Sequence, residues 1–140
     1  MMHKGLPAFM LVCLPFSAAA EKPESALLTC YKAFETHVEV TACLDNHWQM
    51  AQAKLEKTVA ALNAHFIKLD QMSSSSNAVA AEGKAVAGFN VWREEQCKMV
   101  EASYASGSGS GQGYLSCMLE LTNEQIVRLN SLMGMKRSVK

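Results

Sequence analysis

Four cysteines, Cys30, Cys43, Cys97 and Cys117, constrain this chain more than any other feature. Thiols settle as disulfides only in an oxidising compartment. The first twenty residues carry the features needed to reach one. Met1–Lys4 is a short basic start, Gly5–Phe16 is an apolar run, and Ser17-Ala18-Ala19-Ala20 supplies small residues with Ala18 and Ala20 at the A-x-A positions. That is a signal-peptide layout, too short and wrongly flanked for a membrane span. Cleavage is expected before Glu21, leaving 21–140 as the working chain in the periplasm or outside the cell. The fifth cysteine, Cys13, follows Leu11-Val12 inside the apolar run. A lipidated cysteine wants a small residue before it, so Cys13 is expected to leave with the leader. Four cysteines then read as two disulfides.

About 120 residues make one domain. A core of that size gains from cross-links. Without Lys4 the chain holds twelve basic and thirteen acidic residues. That balance gives no footprint for nucleic acid, which needs a concentrated basic face. Lys136, Arg137 and Lys140 read as a solvated tail. After the leader no further apolar run is long enough to span a membrane.

Helical periodicity dominates the rest. A short helix fits about 24–34, with Pro23 and Glu24 suited to its start. A long one fits about 36–70. Thr36-His37-Val38-Glu39 has capping-box spacing at its head, and Leu44, Trp48, Ala51, Leu55, Val59 or Leu62, Phe66 and Leu69 recur as a stripe. Ser73-Ser74-Ser75-Ser76-Asn77 breaks it. A third helix fits about 78–103, with Val79, Val86, Phe89, Arg93, Cys97 and Val100 on one face. Gly83 and Gly88 weaken it and would let a neighbouring helix come close. Ser106–Gly113 reads as a flexible connector. A fourth helix fits about 114–133, with Leu115, Leu119, Thr122, Ile126, Leu129 and Met133 aligned. The expected fold is all-α, an antiparallel helical hairpin or bundle of about four helices.

Three cysteine pairings are possible. On one straight helix Cys30 and Cys43 would lie about 20 Å apart, but a turn at Glu35-Thr36 lets them meet. Cys97 and Cys117 flank the glycine-serine connector. The preferred pairs are therefore Cys30–Cys43 and Cys97–Cys117, one at each end of a long hairpin. No C-x-x-C is present. His37 and His47 share a helix face some 15 Å apart, too far to share an ion, and His65 lies further on. No metal site, cofactor or catalytic set is expected, and the chain reads as a non-enzyme.

Phe89-Asn90-Val91-Trp92-Arg93-Glu94-Glu95-Gln96-Cys97, a glycine-serine loop, and Cys117-Met118-Leu119-Glu120-Leu121-Thr122 resemble the LprI-type lysozyme-inhibitor domain family. Its pattern is an aromatic, an arginine four on, a cysteine four on, a glycine-rich loop, and a second cysteine with threonine five later. Phe89, Arg93, Cys97, Cys117 and Thr122 fall on those positions, and Trp92 stands where the family has a second aromatic. Cys30 and Cys43 match the upstream cysteine pair, so the resemblance covers roughly 28–132. It implies a four-cysteine helical domain exported by bacteria that inhibits a lysozyme; the expected mode is occlusion of the target's cleft. Ser73–Asn77 or Ser106–Gly113 would be the plugging loop. The alternative is an envelope structural or assembly protein, with another envelope protein as partner. Arg93 is expected to pack on Trp92 or another ring and to pair with a glutamate or helix-end carbonyls. Glu94-Glu95 reads as a solvated face that could steer a cationic target.

Overall fold

Thr36 sets the start of the longest element. In the computed structural model, which describes residues 24–134, its hydroxyl accepts from the Glu39 amide at 3.3 Å. The Glu39 carboxylate accepts in return from the Thr36 amide at 3.2 Å. This reciprocal box satisfies two donors that a helix start leaves open, and α2 then runs unbroken over His37–Met72. Helix α1, Ala26–Ala33, precedes it and is capped by the Ser25 side chain. Helices α3, Ala78–Ser103, and α4, Ser110–Leu132, follow. The fold is all-α among the described residues, closed by Cys30–Cys43 and Cys97–Cys117 disulfides. No described helix is long and apolar enough to cross a membrane. The expected leader, its cleavage site and the basic residues 136–140 lie outside the described residues.

Side-chain pairs give the helix directions. Gln112 at the head of α4 meets His37 at the head of α2, and Ile126 and Leu129 further along α4 pack with Leu55 and Leu62 of α2. These two helices therefore run parallel. Arg93 of α3 meets Gln52, and Glu82 meets Asn63, so α3 runs against α2 and α4. The result is an up-down-up bundle with α1 folded across one end. Its main core is Leu55, Leu62, Ile126 and Leu129, flanked by Val59, Phe66, Phe89 and Met133. Each buried leucine or isoleucine there contributes about 1.5–3 kcal/mol. A second cluster, Cys30, Val40 and Leu44 with Leu27 and Leu115, fastens α1 to the heads of α2 and α4.

The two disulfides share one end of this bundle. An arrangement with one bond at each end of the hairpin is thus corrected. The physical reason is the parallel course of α2 and α4, which brings Cys43 and Cys117, each near its helix head, to the same level.

The opposite end is held by a carboxylate. Asn77 precedes α3 but makes no side-chain cap. Asp70, from the last turn of α2, accepts instead from the Ala78 amide at 2.9 Å, the Val79 amide at 3.1 Å and the Ser76 hydroxyl. An acid at a helix start is favoured by the exposed amides and the helix dipole. These bonds, led by the Ser76 hydroxyl, hold the Asp70 carboxyl below its usual 3.8. A depressed acid stabilises the fold above its unfolded pKa and loses that contribution as pH falls through the folded value. Asp70→Asn is therefore expected to flatten the fall in melting temperature below about pH 4. Parallel thermal melts from pH 6 to pH 2 check this, and equal acid slopes in both proteins would contradict the cap.

Gly83 and Gly88 do not form a close helix contact. Both are exposed, and a Cβ added to either would meet nothing within 4 Å. The glycines face solvent while Glu82, Arg93 and Cys97 take the buried face of α3. Alanine at each position should stabilise by about 1 kcal/mol, the helix-propensity difference. That corresponds to roughly 4–8 °C in melting temperature per site for a domain near this size. Calorimetry of the single and double variants checks it, with additivity expected.

Helix α4 starts four residues earlier than the stripe of apolar residues suggests, at Ser110 rather than near Tyr114. Gly111 and Gly113 are poor helix formers, so local preference argues for a loop. Tertiary contacts override it. Gln112 and Gly113 are buried, and a Cβ on Gly113 would sit 2.5 Å from Cε2 of Tyr104.

Candidate functional site

The end that carries both disulfides also gathers the motif residues. Cys97 is fully buried and bonds Cys117 with their Cα atoms 5.5 Å apart. One turn earlier on α3, Arg93 Nη1 donates to Thr122 Oγ1 at 2.7 Å and to Gln52 Oε1 at 2.9 Å. The Thr122 hydroxyl in turn donates to the Met118 carbonyl at 2.6 Å. The Arg93 guanidinium also lies 5.2 Å from the centre of the Phe89 ring, within cation–π range. Phe89, Arg93 and Cys97, spaced by four on one helix face, therefore meet Cys117 and Thr122 across the seam. The spacing aromatic–arginine–cysteine is the pitch of a brace between α3 and α4.

Arg93 packs on a ring as expected: the ring is Phe89, while Trp92 lies half exposed beside it with centroids 6.2 Å apart. One detail differs from the expectation: its partners are an amide and a hydroxyl rather than a glutamate or helix-end carbonyls. Glu94 turns away and accepts from the Tyr114 hydroxyl at 3.0 Å. Burial lowers the Arg93 pKa, with Glu94 raising it in part, and the group stays charged because so basic a side chain does not lose its proton in proteins. Burial and Glu94 together push the Tyr114 phenol up.

Above the brace the α3–α4 connection is ordered. The Gly107 amide donates to the Tyr104 carbonyl at 2.9 Å, Ser110 to Gly107 at 3.1 Å, and Gly113 to Gly109 at 2.9 Å. The Tyr104 ring covers Gly109 and Gly113. Ala105 and Ser106 take φ of 48° and 67°, the left-handed region that non-glycine residues seldom enter. Residues 105–108 face solvent. The other candidate loop, Ser73–Asn77, sits at the far end and folds back onto Asp70.

A polar group ties this end together. The Gln112 side chain accepts from the Tyr31 hydroxyl. It donates to the His37 carbonyl at 3.2 Å and to Thr41 Oγ1 at 3.3 Å, and lies 3.0 Å from His37 Nδ1. Gln112 thereby links α4 to α1 and to the head of α2. Inside a glycine-serine stretch nothing in the sequence marks it for this role. The only prior signal was its being the one large side chain there. Cys30 and Cys43, with Cα atoms 5.9 Å apart, complete the braced end. His65, by contrast, lies on α2 beside Phe66, away from the other histidines.

Among the described residues, four helices, two disulfides at one end and an arginine-centred brace define a small cross-linked all-helical domain. The chain belongs to the LprI lysozyme-inhibitor family: the sequence model described as "Lysozyme inhibitor LprI" matches residues 30–129, from the first described cysteine to the last core leucine. No curated protein and no solved structure matches the chain.

Proposed function

We propose that the chain is an exported lysozyme inhibitor that meets its target through the α3–α4 loop, Tyr104–Gly109. Membership of an inhibitor family supports the class of partner, and two disulfides suit an oxidising location. The observation that carries the choice of loop is the pair of left-handed residues, Ala105 and Ser106. Each such residue costs about 1 kcal/mol or more, and persists only where its surroundings hold it. Here the holders are the Cys97–Cys117 bond below and the Tyr104 ring behind. A loop already fixed in shape loses little freedom on binding. Glu94, Glu95 and Glu101 lie on the adjoining part of α3, where Lys98 is the single described cation, within 3.5 Å and 3.2 Å of Glu94 and Glu95. That imbalance favours approach of a cationic enzyme.

Muramidase assays with lysozymes of several types test the reading. Inhibition of at least one type is expected at micromolar excess, and none against any type would overturn it. Replacing 105–108 by four glycines should weaken inhibition about tenfold or more, as expected for loss of a contact hot spot, with helicity unchanged. Unchanged inhibition would move the contact surface elsewhere.

A further inference from the structure

The Cys30–Cys43 bond has a neighbour that the Cys97–Cys117 bond lacks. His47 lies one turn beyond Cys43 on α2. One ligand atom from each of Cys30, Cys43 and His47 falls within 4.8 Å of the other two. Among the described residues no other three histidine, cysteine or acidic side chains meet this way. Cys30 is buried, Cys43 half buried and His47 exposed, so the set is closed on the core side and open on the solvent side. Two thiolates and an imidazole are the donors that select thiophilic d10 ions such as Zn²⁺ and Cu⁺.

We propose that the Cys30–Cys43 disulfide, once reduced, becomes a Cys2His site for one such ion, with water or an added ligand completing the shell. As the disulfide the sulfurs are not thiolates and the site is closed. A dithiol donor opens it by exchange. Its thiolate attacks the half-exposed Cys43 sulfur, and Cys30 departs as a thiolate. The donor's second thiolate then displaces Cys43, so the donor ends as a disulfide and the chain gains two electrons and two protons. Ion binding releases those two protons.

The geometry requires little movement. Two thiolates on a tetrahedral zinc stand about 3.8 Å apart, given zinc–sulfur bonds near 2.3 Å. Within a set already gathered inside 4.8 Å, rotation of the half-exposed Cys43 side chain supplies the separation while both helices stay in place. His47 is anchored in register because residues four apart share a helix face. The ion would then replace the covalent tie between α1 and α2, so the same junction stays closed under oxidising and reducing conditions.

The test uses the chain reduced by a water-soluble phosphine, which cleaves the bond while being oxidised to its oxide. Zn²⁺ is titrated against a chromophoric chelator, and Co²⁺ is used to count thiolates from its charge-transfer absorption. One ion per chain is expected, with two thiolates in the Co²⁺ spectrum and no binding before reduction. His47→Ala should weaken Zn²⁺ binding at least about tenfold, the smallest loss usual even for an outer-shell partner. Because His47 is exposed, that variant should keep its helicity. Cys97→Ala/Cys117→Ala should bind as the parent does, and Cys30→Ala/Cys43→Ala should not bind. Equal affinity in the His47→Ala protein, or retained binding without Cys30 and Cys43, would overturn the proposal.

Discussion

Replacing Arg93 by alanine is expected to lower the unfolding free energy by about 3 kcal/mol. The side chain is 6% exposed and makes two hydrogen bonds from an ionised donor, each contributing about 1.5–3 kcal/mol where it leaves a buried partner unsatisfied. Truncation strands Gln52, opens a space beside Thr122 and removes the cation from the Phe89 face. Arg93→Met should cost less, about 2 kcal/mol, because it strands Gln52 as the alanine does but refills the space along the stem. Among the described residues no carboxylate forms an ion pair with the buried guanidinium, and Arg93 Nε has no hydrogen-bond partner there. A well-packed apolar side chain escapes that desolvation cost and still fills the space along the stem. Urea denaturation of both variants measures the difference. A methionine variant as unstable as the alanine one would show that the charge itself holds the seam.

The second large effect is expected from Cys97→Ala/Cys117→Ala. Closing about twenty residues contributes roughly 3 kcal/mol in the chain-entropy model. Here the consequence is wider than stability. Without the bond, Tyr104–Gly109 loses its lower anchor, and the left-handed pair Ala105–Ser106 should relax. Inhibition should then fall more steeply than helicity. The matched pair Cys30→Ala/Cys43→Ala removes a similar entropic contribution of about 3 kcal/mol. Its damage should stay local, because α1 is short and lies outside the cluster of Leu55, Leu62, Ile126 and Leu129. Amide hydrogen exchange distinguishes the two: loss of protection in α1 alone for the first pair of cysteines, and across the α3–α4 seam for the second. Equal inhibition by both variants would argue against the α3–α4 loop as the contact.

Much of this fold is legible in the sequence. Periodicity placed four helices, and the turn at Glu35-Thr36 and the glycine-serine stretch located both disulfides. Thr36 and Glu39 announced their capping box because that motif is local. What sequence could not supply depends on contacts between distant segments. Nothing local says that α2 and α4 run parallel, and so the two bonds were expected at opposite ends. Asp70 looks like an ordinary last-turn acid until α3 folds back onto it. Gln112 looks like a loop residue until His37 and Tyr31 surround it. Gly83 and Gly88 have the composition of a close helix contact and turn out to face water, because Glu82 and Arg93 occupy the inner face instead. Arg93 was rightly placed among aromatic and apolar neighbours, but its choice of Phe89 over Trp92 follows from the i–4 spacing that also reaches Thr122. Trp92, left half exposed, has no partner role that the brace requires.

The placement of the disulfides also makes the chain unequally tolerant of cutting. Neither bond crosses from α1–α2 to α3–α4, for Cys30–Cys43 lies within the first pair of helices and Cys97–Cys117 within the second. A protease nick between 105 and 108 would leave its two products covalently joined, much as protein inhibitors can survive cleavage of an exposed loop. A nick within 73–77 would yield two separately cross-linked halves with no covalent bond between them, held by the apolar seam of α2 and α4 and by the hydrogen bonds of Gln52, Asn63 and Gln112. Durability towards proteolysis is thus concentrated at the end where the exposed loop stands.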